Sequence, residues 1–113
     1  MQDLKDQNDY IDLFFNERWT NYALDNSDEI PDLLLELEKE THQKILQPRM
    51  MSSPLQGRLL SFISNILRPK KILEIGTYTG YSSLCLAEGL DENGELHTID
   101  HNEELVLIQQ KYF

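Results

Sequence analysis

Lys71-Ile72-Leu73-Glu74-Ile75-Gly76-Thr77-Tyr78-Thr79-Gly80-Tyr81-Ser82 is the stretch that decides the fold. Lys71 to Ile75 is short, apolar and β-prone, and reads as a strand. Gly76 to Gly80 is a tight turn bracketed by glycines. Tyr81 to Leu90 reads as a helix with Leu84, Leu86, Ala87 and Leu90 on its buried side. Asp91-Glu92-Asn93-Gly94 is a turn, with Asn-Gly favouring positive φ. Leu96 to Ile99 is a second strand ending at Asp100, and Asn102 caps a last helix that turns Leu105, Val106 and Ile108 inward. Strand, helix, strand in this order predict a βαβ unit with parallel strands and a right-handed crossover.

Upstream, the periodicity is helical. Leu4, Ile11, Phe14 and Phe15 mark a first helix, with Trp19 and Tyr22 helping to dock it. Asn26-Ser27-Asp28 is a loop and cap region, and Pro31 falls in the first turn of a second helix. That helix carries Leu33, Leu34, Leu35 and Leu37 and ends near Gln47-Pro48. Met50 to Ser53 is a linker in which the methionines serve packing. Ser53, Pro54 and Gln56 form a helix start of capping-box type. Leu55, Leu59, Phe62, Ile63 and Ile66 make the apolar stripe of a third helix, which stops before Pro69. The expected fold class is α/β, with a helical segment over 1–49 and a sheet-forming part over 50–113.

Composition narrows the function. The chain has 113 residues, 20 acids and 10 bases, for a net charge of -10. Residues 1–56 hold 12 acids against 5 bases, so the excess is concentrated in the first half. Nucleic-acid backbone is not the expected partner, because phosphate binding needs clustered Lys and Arg. No apolar run approaches the ~20 residues of a membrane span, and the acidic start predicts no signal peptide. A single cysteine, Cys85, predicts an inert core residue in a reducing cytoplasm. His42, His97 and His101 have no metal-ligand spacing, and the acidic runs Asp28-Glu29 and Glu36 to Glu40 read as solvated helix faces.

Chemistry concentrates between Glu74 and Asp100. Parallel sheets bind ligands in the turns after their strands. Gly76 and Gly80 let backbone approach a ligand, and the N–H groups opening the Tyr81 helix suit an anion. Asp100 can accept two hydroxyl protons, which suits a ribose. Glu74 adds negative charge that favours a cationic amino group. The spacing Gly76-x-x-x-Gly80 is neither the Gly-x-Gly-x-x-Gly of dinucleotide sites nor a phosphate loop. An adenosyl ligand with a cationic tail and no phosphate fits it better.

Glu74-Ile75-Gly76-Thr77-Tyr78-Thr79-Gly80-Tyr81-Ser82 resembles the first motif of the cation-dependent O-methyltransferases, which include catechol and caffeoyl-coenzyme A O-methyltransferases. The likeness runs back through Ser52-Ser53-Pro54-Leu55-Gln56-Gly57 and on to Thr98-Ile99-Asp100, over roughly residues 50–113. It implies a Rossmann-like class I methyltransferase sheet, represented here by N-terminal helices and the first βαβ unit. It implies S-adenosyl-L-methionine as donor, with Glu74, Gly76, Thr77 and Ser82 at the methionine end and the turn. Asp100 would hold the ribose hydroxyls, and Ser52 stands where the family has a small polar donor contact. The implied reaction moves a methyl group to a hydroxyl of a small, catechol-like acceptor. A divalent, Mg-type cation would lower the pKa of that hydroxyl.

The family's metal ligands follow its fourth strand, so the catalytic residues are expected beyond Phe113. Its open sheet needs about twice this length, which predicts an N-terminal fragment or truncated form with an uncovered sheet edge. A homodimer through the N-terminal helices is the assembly the family implies. Two other functions compete. One is a non-catalytic donor-binding or interaction module, marked by donor affinity without turnover. The other is an adenine-nucleotide oxidoreductase, marked by competition from a nicotinamide dinucleotide.

Overall fold

The computed structural model describes residues 16–113. The helix expected from Leu4, Ile11, Phe14 and Phe15 therefore lies largely outside the described residues. Helix α1 spans Glu17–Asp25 and is capped by the Asn16 side chain, which accepts the Arg18 N–H at 2.9 Å. It buries no residue, and Trp19 and Tyr22 are 64% and 66% exposed, so they do not dock it.

Helix α2 spans Asp32–Lys44, with Pro31 at its cap position. Leu34, Leu37 and Thr41 are buried, at a helical spacing that faces the core, while Leu33 and Leu35 point outward. Burying two leucines is worth about 3–6 kcal/mol before entropy is charged. The helix stops at Lys44, short of the expected Gln47-Pro48, because Ile45 is extended. Pro48 instead opens a 3-10 turn, Pro48–Met50. Met50 in that turn is exposed, whereas Met51 packs against the core.

Helix α3, Pro54–Leu67, starts as expected: Pro54 is its first residue and Ser53 Oγ accepts the Gln56 N–H at 3.2 Å. Its buried face differs from the expected stripe. Gly57, Ser61 and Ser64 are buried, while Leu59, Phe62, Ile63 and Ile66 are exposed. The reason is steric. A Cβ on Gly57 would lie 2.7 Å from the Tyr81 ring and 2.8 Å from Cys85 Sγ. Small residues let α3 pack this close to the next helix, and bulkier ones turn away.

Strand β1, Lys71–Ile75, pairs in parallel with β2, Glu95–Ile99, with Ile72 opposite Leu96 and Glu74 opposite Thr98. Between them runs α4, Tyr81–Ala87. It is shorter than expected, and its buried residues are Tyr81, Ser83 and Cys85, with Ala87 exposed. The Asp91–Gly94 turn is closed by the Asp91 carbonyl on the Gly94 N–H at 2.7 Å and the Asp91 carboxylate on the Asn93 N–H at 3.0 Å. Neither Asn93 nor Gly94 takes the positive φ that the Asn-Gly pair favours. Asn102 caps a 3-10 turn, Glu103–Leu105, which leads into α5, Val106–Tyr112. Leu105 and Ile108 face the core, but Val106 does not.

The core gathers Leu34, Leu37, Tyr81, Cys85, Leu105, Ile108 and Tyr112. It therefore joins α2 to the βαβ unit. Leu73, Ile75 and Ile99 stand exposed on the other sheet face. Among the described residues, no helix is long and apolar enough to cross a membrane.

Candidate functional site

The turn after β1 is built around two glycines and a tyrosine in left-handed conformations. Gly76 and Gly80 both have φ of +96°, and Tyr78 has φ of +51°. Glycine adopts this region freely, whereas tyrosine does so only when held. Three bonds hold Tyr78. Its N–H donates to Asp100 Oδ2 at 2.7 Å, its carbonyl accepts from Gln109 Nε2 at 2.7 Å, and its hydroxyl donates to the Gln47 carbonyl at 2.5 Å.

Asp100 sits at the end of β2, where its other oxygen accepts the Asn102 N–H at 2.9 Å. The Asn102 and Tyr78 N–H groups hold its carboxyl below the usual aspartate range. The carboxylate is thus ionised and fixed in orientation. It offers about four lone-pair directions, so two remain for hydroxyl donors.

Glu74 has a different setting. It accepts the hydroxyls of Ser82 at 2.7 Å and Thr98 at 2.8 Å, and also that of Ser83. The Thr98 and Thr77 hydroxyls lie 2.6 Å apart. Strand β1, strand β2 and the first turn of α4 are therefore tied through one carboxylate. Thr77 is buried, and the neighbouring Thr79 bonds to Thr41 Oγ1 of α2 at 3.1 Å.

A cleft of about 960 Å³ opens beside the turn. One wall is Lys44 to Gln47 with Met50; the other is Ile75, Gly76, Tyr78, Ile99 and Asp100 to Asn102. A Cβ on Gly76 would meet nothing within 4 Å, so backbone is open to a ligand there. The cleft brings Gly76 and Asp100 together. Glu74, Thr77 and Ser82 lie behind the turn in their hydroxyl network, and Ser52 is half-buried and not among the lining residues. A smaller cavity of about 530 Å³ lies against Arg58 and Glu88, away from the glycine turn.

Sequence reading missed Tyr78 as a structural centre, and Gln47 and Gln109 as its partners. Tyr78 stood inside the quoted motif, but the motif does not reveal its three bonds. Thr98, opposite Glu74 in the strand pair, was legible only once the register was known. Among the described residues, no group of three or more His, Cys, Asp or Glu could hold a metal ion.

The family model described as O-methyltransferase matches residues 24–113. Caffeoyl-CoA O-methyltransferase of Stellaria longipes is 36% identical over 94 residues, which cover 81% of this chain and 39% of that protein. Catechol O-methyltransferase of Niastella koreensis is 36% identical over 64 residues, covering 57% of this chain and 29% of that protein. Among solved structures, the SAH-bound methyltransferase PaMTH1 of Podospora anserina superposes with a TM-score of 0.81 at 34% identity. That match covers 87% of this chain and 42% of the other. The chain thus spans about two fifths or less of the length of these proteins.

Proposed function

The chain belongs to the O-methyltransferase family, and from that premise we propose that its cleft is the donor site of an S-adenosylmethionine-dependent O-methyltransferase acting on a hydroxyl of a small, catechol-like acceptor. The observation that carries this reading is the pairing of Gly76 with Asp100 in one cleft: open backbone on one side, a fixed carboxylate on the other. Asp100 keeps two acceptor directions free for the ribose hydroxyls. Gly76 lets the amino-acid end of the donor lie against backbone. Glu74, Thr77 and Ser82 act behind the turn, where the Glu74 carboxylate fixes the start of α4 and adds negative charge near a cationic ligand. Ser52, half-buried just after the Pro48–Met50 turn, is the small polar donor contact that the family likeness implies.

S-Adenosylmethionine, when bound, supplies an electrophilic methyl on a sulfonium. The chain's own residues bind and orient. Residues 50–113 carry most of the donor site, and the helices before them, Glu17–Asp25 and Asp32–Lys44 among the described residues, lead into the Lys44–Gln47 wall of the cleft. A divalent cation belongs to the family reaction, but the described acids and histidines form no site for it. The reading includes a cytoplasmic setting, in keeping with free, buried Cys85, and assembly as a homodimer, which sedimentation would test.

Calorimetric titration tests the donor site. S-Adenosylhomocysteine should bind, and a nicotinamide dinucleotide should not displace it. Displacement by the dinucleotide, or no binding of S-adenosylhomocysteine, would overturn the assignment. A second reading, donor capture or partner docking without turnover, is favoured by the exposed apolar faces of α3 and of the sheet. Binding without methyl transfer to a catechol in the presence of Mg²⁺ would select it.

A further inference from the structure

The two walls of the cleft come from distant parts of the chain, and Tyr78 touches both. Its hydroxyl reaches the carbonyl of Gln47, 31 residues earlier, on the wall that leads into the Pro48–Met50 turn. Its N–H binds Asp100 on the opposite wall, and its carbonyl is held by Gln109 of α5. A tyrosine at φ +51° spends backbone strain to stand there. The strain places all three polar groups of one residue on three separate segments. Burial raises the hydroxyl above its ordinary pKa.

We propose that Tyr78 is a positioning residue for donor binding: its hydroxyl latches the Lys44–Met50 wall onto the glycine turn while its N–H orients the Asp100 carboxylate. The cleft then binds as a pre-set unit, and opening the latch taxes affinity by the fraction of chains left open. This inference rests on the donor-site reading above. The latch itself can be read without ligand.

The test is Tyr78→Phe, which keeps the ring and the backbone demand and removes only the hydroxyl. Exposed Arg49, in the latched wall, provides a tryptic site whose cleavage reports wall opening. Without ligand, Y78F should be cut after Arg49 several-fold faster than wild type, as loss of one hydrogen bond allows (about 3–10-fold). In titrations, S-adenosylhomocysteine should bind Y78F about 3–10-fold more weakly, with the far-UV spectrum and thermal midpoint of the free chain little changed. Gln109→Ala loosens the same residue but leaves the hydroxyl, and should speed Arg49 cleavage less than Y78F. Equal cleavage of wild type and Y78F, or a larger effect from Q109A, overturns the latch. Wild-type binding that Y78F matches overturns its role in affinity. Failure of wild type to bind S-adenosylhomocysteine overturns the donor site instead, and the ligand-free cleavage comparison still decides the latch.

Discussion

Arg58 grips Glu88 with both terminal nitrogens, at 2.6 and 3.2 Å, and so fastens α3 to the end of α4. Ser61 donates to the same carboxylate at 2.5 Å. Burial alone would raise the Glu88 carboxyl, but the hydrogen bonds from Arg58 and Ser61 outweigh it and hold the group below its ordinary range. The Arg58 side chain is only 9% exposed, so its charge depends on this partner.

Glu88→Ala should therefore destabilise the fold by about 2–4 kcal/mol, through an uncompensated guanidinium rather than a lost contact. The double replacement Arg58→Met with Glu88→Leu should cost less than Glu88→Ala alone. Urea unfolding midpoints decide it. A double variant less stable than the single would show that the pair itself, not the orphaned charge, carries the energy.

Gly89 marks where the chain passes hard against α3. A Cβ there would lie 2.1 Å from the Ser64 carbonyl carbon and 2.3 Å from the Asn65 nitrogen, both backbone atoms. Backbone cannot swing aside as a side chain can. Gly89→Ala should cost about 3 kcal/mol or more by overpacking, measured by urea unfolding. Gly76→Ala has open space at its Cβ and only the strain of φ +96° to bear, so it should cost less. Equal losses would refute this reading of the Gly89 crossing.

The same crossing shows where sequence reading succeeded and where it stopped. Strand, glycine turn, helix and strand were legible because each has a local cause: isoleucine and threonine in the short strands, glycines where φ is positive, and Gly80 opening the helix that follows. The buried face of α3 was not. Leu59, Phe62, Ile63 and Ile66 have the spacing of a core stripe, yet Gly57, Ser61 and Ser64 are the residues that pack. Periodicity weighs hydrophobicity, whereas a close helix crossing selects for size, and the small residues spaced at 57, 61 and 64 were its trace. The site divides in the same way. Gly76 and Asp100 were readable from their places after two strands. That Glu74 would collect three hydroxyls, and that Tyr78 would join three segments, depended on register and tertiary approach, which no local pattern encodes.

Asp100 should be sensitive to small changes. Asp100→Ala removes the acceptor for the Tyr78 and Asn102 N–H groups along with the proposed ribose contacts. S-Adenosylhomocysteine binding should weaken by ~1–3 kcal/mol. Asp100→Asn keeps one acceptor oxygen and should fall between wild type and alanine. Titration calorimetry gives the ranking, and unchanged affinity in Asp100→Ala would remove the ribose assignment.

Acid should loosen the clasp between α2 and α5. Glu40 accepts from Lys111 Nζ at 2.5 Å, Lys44 Nζ at 2.8 Å and Tyr112 Oη at 2.6 Å. Lys111 is the largest influence, followed by Lys44 and Tyr112, and together they lower the carboxyl from 4.5 to about 2. Because the folded pKa lies below the unfolded one, the folded state binds fewer protons in this range. The contribution is complete above about pH 4.5 and is lost as pH falls toward about 2. The urea midpoint of the wild type should therefore drop between about pH 5 and pH 2. Glu40→Gln cannot ionise, so it should be less stable at neutral pH, fall more gently and meet the wild-type curve near the acid end. Some slope should persist, since Glu88 and Asp100 are also lowered and shift stability with the same sign. Both lysines are exposed, so added salt should narrow the gap between the two proteins at neutral pH. Parallel curves across this range would mean that Glu40 titrates alike folded and unfolded, and that the clasp contributes nothing to stability.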